Sequence, residues 1–302
     1  MTSTKEEFWY KLSWFCDFNH KEIFSLYKHA KDKKLNIEDI FNLTQIDDQG
    51  YAELKDKEIQ ILFYDHELYP ESLIKLMKDH PPILFCKGNL NLLKSDGVAI
   101  IGSRNASQEG LKFANEIARK LAEKGINIIS GYAKGIDTSA HLGALENNGT
   151  TTIVLSSGIL NFSETKIKES FKKDKTLIIS QFNPKSPWSA QNAMIRNELV
   201  CALSKIVIVI ESGPEKTEKD GKKHLSGTYD AAKKALKMGI PLFVLDPSTF
   251  QIPPIGNTKL IEKEKATKIK PDESGIEEIL KLIKPTQKTK EIQPNFFTQP
   301  EK

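Results

Sequence analysis

Arginine is nearly absent from this chain of 302 residues. Lysine and arginine together number 44, yet the only arginines are Arg104, Arg119 and Arg196. The planar, bidentate donor fork that an ammonium cannot reproduce is therefore available at very few places. Cysteine is scarce as well. Cys16, Cys86 and Cys201 lie far apart inside apolar stretches, which excludes a disulfide framework and a zinc knuckle and leaves buried, inert thiols. The histidines are scattered and none pairs with a cysteine at ligand spacing, so no metal centre and no cofactor are expected. No apolar run reaches the roughly eighteen residues of a membrane span, and the opening MTSTKEEFWYKLSWF carries charges where a signal peptide keeps an uninterrupted apolar region. A cytoplasmic protein without a membrane segment is expected. The formal charge of +4 is compatible with a polyanion held by a local patch, and 39% apolar residues suffice for a real core.

What the sequence does contain changes character along its length. The first part reads as mostly helical up to about Asp47, with helix-like apolar spacing in EEFWYKLSWF and HKEIFSLYKHA. Two extended runs follow, IQILFY and HPPILFCKG. From Gly97 onward strands alternate with helices. Strands are expected near 98–101, 126–130, 152–155, 176–180, 205–210 and 241–245, and helices near 107–124, 138–147, 189–203 and 226–238. Short apolar strands alternating with amphipathic helices predict an α/β fold: a Rossmann-like, doubly wound and mostly parallel sheet covered on both faces, with a small, mainly helical N-terminal domain. The expected organisation is a helical domain over 1–60, the Rossmann-like domain with its lead-in strands over 61–284, and a disordered tail over 285–302. The lysine-rich SGPEKTEKDGKKH (212–224) reads as a mobile loop, and the tail as a C-terminal remnant, with a short partner-binding peptide at Phe296 and Phe297 as the alternative.

In doubly wound sheets ligands bind beyond the carboxyl ends of the strands, and there the sequence repeats one kind of turn. AIIGSRNASQEG ends a strand on Gly102, Ser103 and Arg104 before a helix near Ser107, whose free amides would attract an anion. SGYAKGIDTSAH brackets Lys134 between Gly131 and Gly135, with Asp137 or Thr138 as the expected N-cap. His141 falls one helical turn after Asp137, where the two side chains can meet. Arg196 and Asn197 precede the strand that ends at Glu211. Ser226, Gly227 and Thr228 open another helix. Four such elements along one edge predict a groove for phosphates, with Tyr132 and Trp188 as candidate stacking surfaces for bases. A nicotinamide site is disfavoured: the second glycine of G-x-G-x-x-G is missing after Gly102, and the second strand ends without the acidic residue that would bind a ribose.

These blocks, VAIIGSRNASQEG, IISGYAKGIDTSAHLGALE, IVLSSGI and IRNELVCALSKIVIVIES, together with the lead-in YPESLIKLMKDHPPILFCKGNLNLL, resemble the bacterial DNA-processing DprA/Smf family over about residues 60–245. The resemblance implies a Rossmann-like fold and a cytoplasmic, dimeric protein that binds single-stranded DNA without strong sequence preference. It also implies that the strand is loaded onto a RecA-type recombinase in natural transformation or recombination. By position, Arg104 matches the arginine of the family's G-S-R, Lys134 stands where the family more often has arginine, and Arg196 with Asn197 matches its Arg-Asn pair. This chain departs from the pattern in three places. LSWFCDFNHKEI lacks the family's G-I-G turn. The C-terminal winged helix is absent or reduced to DESGIEEILKLIK. LSGTYDAA replaces R-S-G-S-L-x-T-A.

Two other readings compete with a binding module. The family is similar to phosphoribohydrolases, which place a carboxylate two residues after the threonine of a Gly-Gly-x-Gly-Thr turn; Asp230 sits at that spacing from Thr228 and would be the catalytic acid of an enzyme cleaving nucleoside monophosphates. The third reading is a sensor of nucleotides or nucleic-acid ends in defence.

Overall fold

The structure, a computed structural model, describes residues 5–32, 48–219 and 222–283. Helices α1 (Lys5–Phe15), α2 (His20–Asp32) and α3 (Asp48–Asp56) lead into β1 (Gln60–Phe63), α4 (Glu71–Leu76) and β2 (Ile83–Gly88). Alternation then sets in with β3 (Gly97–Ile101), α5 (Gln108–Glu123), β4 (Asn127–Ser130), α6 (Ile136–Leu145), β5 (Thr151–Val154), β6 (Thr176–Ser180), α7 (Ala190–Ala202) and β7 (Ile206–Val209). A hairpin of β8 (Lys216–Lys219) and β9 (Lys222–Leu225) precedes α8 (Gly227–Lys237), β10 (Leu242–Leu245), α9 (Ile255–Glu262), β11 (Thr267–Ile269) and α10 (Glu273–Leu282).

Among the described residues nine strands form one sheet in the order β1-β2-β6-β5-β4-β3-β7-β10-β11. From β6 to β11 all neighbours pair in parallel, and β2 and β1 extend the β6 edge antiparallel. This is the predicted α/β, doubly wound architecture. Its central strands are buried on both faces, which is why GVAII, TTIV and IVIV read as unbroken apolar runs rather than alternating ones. Alternate residues still choose opposite faces. Val98 and Ile100 pack with Ile117 and Leu121 of α5 and Ala140 of α6, while Ala99 and Ile101 pack with Leu199 of α7 and Ala232 of α8. Each fully buried aliphatic side chain contributes about 1.5–3 kcal/mol.

The N-terminal helices join the same body through a third cluster. Trp9, Tyr10 and Leu54 are buried against Ile61 and Phe63 of β1 and Ile83 and Phe85 of β2, and the Trp9 ring stacks on Phe63 at 6.1 Å. Strand β1 begins at the expected boundary near residue 60, yet the helices before it bury their apolar face on the sheet. All three cysteines are buried and free.

The structure differs from expectation in three segments. The stretch 212–224 carries the β8–β9 hairpin rather than a plain loop, flanking an Asp-Gly pair that suits a two-residue connection. The segment containing DESGIEEILKLIK forms α10, whose Ile276 and Ile279 bury against the core beside α5, after the short parallel strand β11. Helix α6 starts at Ile136, and its N-cap is Gly135 rather than Asp137 or Thr138. The tail 285–302, with Phe296 and Phe297, lies outside the described residues. Among the described residues no helix is long and apolar enough to cross a membrane.

Candidate nucleic-acid interface

Strands β3 and β7 are neighbours, but the chain leaves them towards opposite faces, to α5 and to α8. A crevice at the carboxyl ends of such a pair is dictated by the topology. A cleft of ≈ 720 Å³ occupies it. Gly102, Ser103, Arg104, Gly131, Arg196, Asn197, Ser226, Gly227 and Thr228 all line it, so three turns and one face of helix α7 converge on one rim. Lys134 is exposed nearby and neither it nor Gly135 lines the cleft. With φ +89° and a Cβ position that would press on Ser103 O and Arg104 O, Gly135 lets the second turn lie against the first, where Ile136 N donates to Ser103 O at 3.3 Å.

The two arginines of the cleft do different work. Arg104 is exposed and its guanidinium lies over the Trp188 ring, 5.2 Å from the centroid. Arg196 is a buried group beneath Gly131, where no side chain would fit. Its Nη1 donates to Val154 O at 2.9 Å and its Nε has no partner. Held in this way, it is not free to reach out to a ligand as Arg104 is. Burial lowers the Arg196 guanidinium below its ordinary value, and the buried Asp137 carboxylate opposes that. Burial pushes Asp137 up in turn, against the pull of Arg196 and of Ala133 N–H, which donates to Asp137 Oδ2 at 3.2 Å. Sequence reading missed Asp137 as a lining residue of the cleft because it was read as a cap.

The start of α5 already has a carboxylate of the protein beside it. Ser107 Oγ accepts from Gly110 N at 3.0 Å, and Glu211, from the end of β7, accepts from Ser107 N at 2.9 Å and from Ser107 Oγ at 2.6 Å. Because β7 lies beside β3, the carboxylate reaches across the crevice and fills the anion site expected there. The start of α8 differs. Ser226 Oγ caps Tyr229 N at 3.2 Å, and the Gly227 and Thr228 amides sit at the first helical positions, where no intrahelical acceptor exists. Asn197 acts on this turn from behind, donating to Gly227 O at 3.0 Å and Asp230 Oδ2 at 3.3 Å. Asp230 also pairs with Lys234 at 2.9 Å, so the carboxylate nominated for catalysis is held by two donors.

The remaining nominees separate cleanly. His141 does not meet Asp137 as expected; its Nδ1 lies 2.7 Å from Thr151 Oγ1, and burial together with the Arg196 charge pushes its pKa down to about 3. Tyr132 packs as structure, its hydroxyl donating to Ser163 O at 2.9 Å and its ring under Lys166. Its backbone, at φ +65°, is in the left-handed region that a bulky side chain rarely adopts. Trp188, 54% exposed, remains as the aromatic face at the mouth of the cleft.

Comparison with known proteins places this arrangement in context. The family model for DNA recombination-mediator protein A matches residues 60–283. The DNA processing protein DprA of Streptococcus pneumoniae is 33% identical over 184 residues, covering 60% of this chain and 61% of that protein. Protein Smf of Escherichia coli is 33% identical over 196 residues, 64% of this chain and 48% of its own length. The chain thus spans about half to three-fifths of these curated relatives. The solved DprA of S. pneumoniae superposes with a TM-score of 0.71 at 24% identity, over 93% of this chain and 98% of that one, which shows the fold. DNA processing protein A of Helicobacter pylori, whose structure was solved for its single-stranded DNA binding mode, gives a TM-score of 0.61 at 28% identity over 74% of this chain and 96% of that one.

Proposed function

The chain belongs to the DNA recombination-mediator protein A family, and from that premise we propose that it binds single-stranded DNA without strong sequence preference and passes it to a RecA-type recombinase. The observation that carries the reading is the convergence of three turns and helix α7, with Arg104 and Arg196, on one crevice at the switch point of the sheet. In this reading Arg104 holds a backbone phosphate through its fork, the Gly227 and Thr228 amides hold a second, and the Arg196 charge, fixed under Gly131, biases the floor towards anions. Ser103 offers a hydroxyl at the rim, while Gly102 and Gly131 leave room for Ile136 and for the Arg196 guanidinium behind it. Lys134 adds a screened attraction at the rim, and Trp188 supplies a stacking face that tolerates any base. Groups that grip phosphate and sugar but no base edge give affinity without readout.

A binding role rather than bond cleavage is supported by the engagement of Asp230 with Asn197 and Lys234. The protein acts in the cytoplasm as a homodimer, as the family resemblance implies. The test is a salt titration of binding to a labelled single-stranded oligonucleotide: log affinity falls linearly with log salt, and oligonucleotides of different sequence bind within a few-fold of each other. No measurable binding at low salt, or release of free base from a nucleoside monophosphate, would overturn the reading.

A further inference from the structure

Resting on the single-strand reading, we propose that a second cavity, on the other side of α7, receives one nucleobase of the same strand. The cavity, of ≈ 800 Å³, lies between the turn joining α1 to α2 and the segment running from β6 into α7. Helix α7 is the wall between the two sites. Ala190, Ala193 and Asn197 line the first cleft, and Asn192, Ile195 and Glu198 line the second. These are the opposed faces of one helix, the first set spaced by three and four residues and the second by three and three.

The chemistry of the second cavity is not that of a phosphate site. Its lysines are already paired, Lys21 with Asp79 at 3.5 Å and Lys185 with Glu53 at 3.2 Å. Beside these pairs and the carboxylates of Asp17 and Glu198, what it offers is ring faces and amides. Trp14 and Phe18 meet edge to face with centroids 5.7 Å apart, and Ile195, 40% exposed, forms an apolar lip. Gln181 lines the cavity at 1% exposure, and its Nε2 has no hydrogen-bond partner. A buried amide donor left unmade is unfavourable, and a ligand acceptor would satisfy it. His20 Nε2 lies 3.3 Å from Gln181 O and must carry the proton there, because a carbonyl only accepts; Nδ1 is then an acceptor. A planar, uncharged heterocycle with donors and acceptors on its edge and π faces above and below fits this set, and in a single strand that is a base.

The path between the sites runs around the start of α7, past Arg104 and Trp188. A helix is only about 10 Å across with its side chains, so one strand can engage both sides. In this arrangement the first cleft holds phosphate and the second holds a base.

The experiment uses the full chain and a single-stranded oligonucleotide carrying 5-iodouracil at successive positions, photocross-linked and mapped by mass spectrometry, with affinities measured in parallel. Cross-links to the peptide containing Trp14 and Phe18 are expected from one position of the strand. Trp14→Ala lowers affinity about tenfold, within the range of one base–aromatic stack, leaves the salt slope unchanged, and is rescued by Trp14→Phe. Replacing the bases by abasic spacers removes the difference. Trp14 also packs on its neighbours, so Ile195→Trp at the exposed lip serves as a neutral plug that abolishes the Trp14 cross-link in a protein with unchanged melting. Oligonucleotide binding with cross-links confined to the first cleft, or equal affinity of Trp14→Ala and wild type, overturns this proposal alone. Failure of the wild-type chain to bind any oligonucleotide overturns it together with the single-strand reading.

Discussion

Glu211 and Ser107 stand 104 residues apart in the chain and meet through two hydrogen bonds, from Ser107 N at 2.9 Å and Ser107 Oγ at 2.6 Å to Glu211 Oε2. The positive end of α5 is thereby satisfied by the protein's own carboxylate, which ties the loop after β3 to the loop after β7 across the crevice. In the proposed reading Arg104 and the start of α8 are then the groups left to hold an anion.

Removing that charge tests the assignment. Glu211→Gln keeps an acceptor for Ser107 N but loses the charge at the helix terminus, and a loss of about 0.5–1 kcal/mol is expected. For a chain of this size that is a fall of about 2–4 °C per kcal/mol in the thermal midpoint. Affinity for a single-stranded oligonucleotide should not fall. A tenfold loss of affinity in a folded Glu211→Gln protein would show that the carboxylate contacts the ligand side of the cleft.

Arg104 and Lys134 should be separable by salt. Arg104 is exposed and unpaired with any carboxylate among the described contacts, stacked only on Trp188. Arg104→Ala is expected to weaken oligonucleotide binding about tenfold and to reduce the slope of log affinity against log salt by about 1. Arg104→Lys should keep the slope and lose part of the affinity, since it keeps the charge but not the fork. Lys134→Ala, outside the lining, should change the slope less than Arg104→Ala does. Trp188 fluorescence, read during the titration, should shift on binding in the wild type and less in Arg104→Ala.

His141 makes stability depend on pH in a window where few other groups titrate. Its folded pKa of about 3 lies below the ordinary 6.5, so between these values the unfolded chain takes up a proton that the native protein refuses. Stability therefore falls as pH drops below 6.5, by about 1.4 kcal/mol per pH unit from this group alone. From pH 6.5 to pH 5 the contribution is roughly 2 kcal/mol. His20 and His80 are also pushed down by burial and add to the slope. Urea unfolding of wild type and His141→Gln at pH 7 and pH 5 should show a smaller difference in the variant; equal differences would mean that His141 titrates normally.

Most of the fold was legible because its signals are local. The runs at 98–101, 176–180 and 206–209 are apolar on both faces, and Ser107 and Ser226 stand where an N-cap belongs. The misreadings came from contacts distant in sequence. Gly135 became a cap because the first turn packs against its α-hydrogen face, which no local pattern announces. KTEK and KKHL lack an apolar alternation, so the hairpin could be found only through the Asp-Gly pair between them. For the site, residue types and their strand-end positions brought nine nominees to one cleft. Burial, which turned Arg196 into a floor and gave Glu211 its partner, depends on which strands are neighbours in the sheet.

Two glycines of the cleft predict opposite outcomes for the same substitution. At Gly131 a methyl group would overlap the Arg196 guanidinium, and Arg196 cannot yield easily because Nη1 holds Val154 O and the side chain is buried. Gly131→Ala should therefore cost about 1–3 kcal/mol as overpacking, and should weaken oligonucleotide binding further by displacing the cation from the floor. At Gly227 the nearest atom to a new Cβ is Met194 Sδ at 3.9 Å, an ordinary contact. Alanine at this first helical position is expected to leave stability unchanged or to raise it by about 0.4–1 kcal/mol, through the unfolded chain, while its amide stays available to phosphate. Thermal melts and oligonucleotide titrations of the two variants side by side decide the matter. If Gly131→Ala melts and binds like Gly227→Ala, Arg196 does not sit fixed beneath the second turn, and the cleft has no cationic floor.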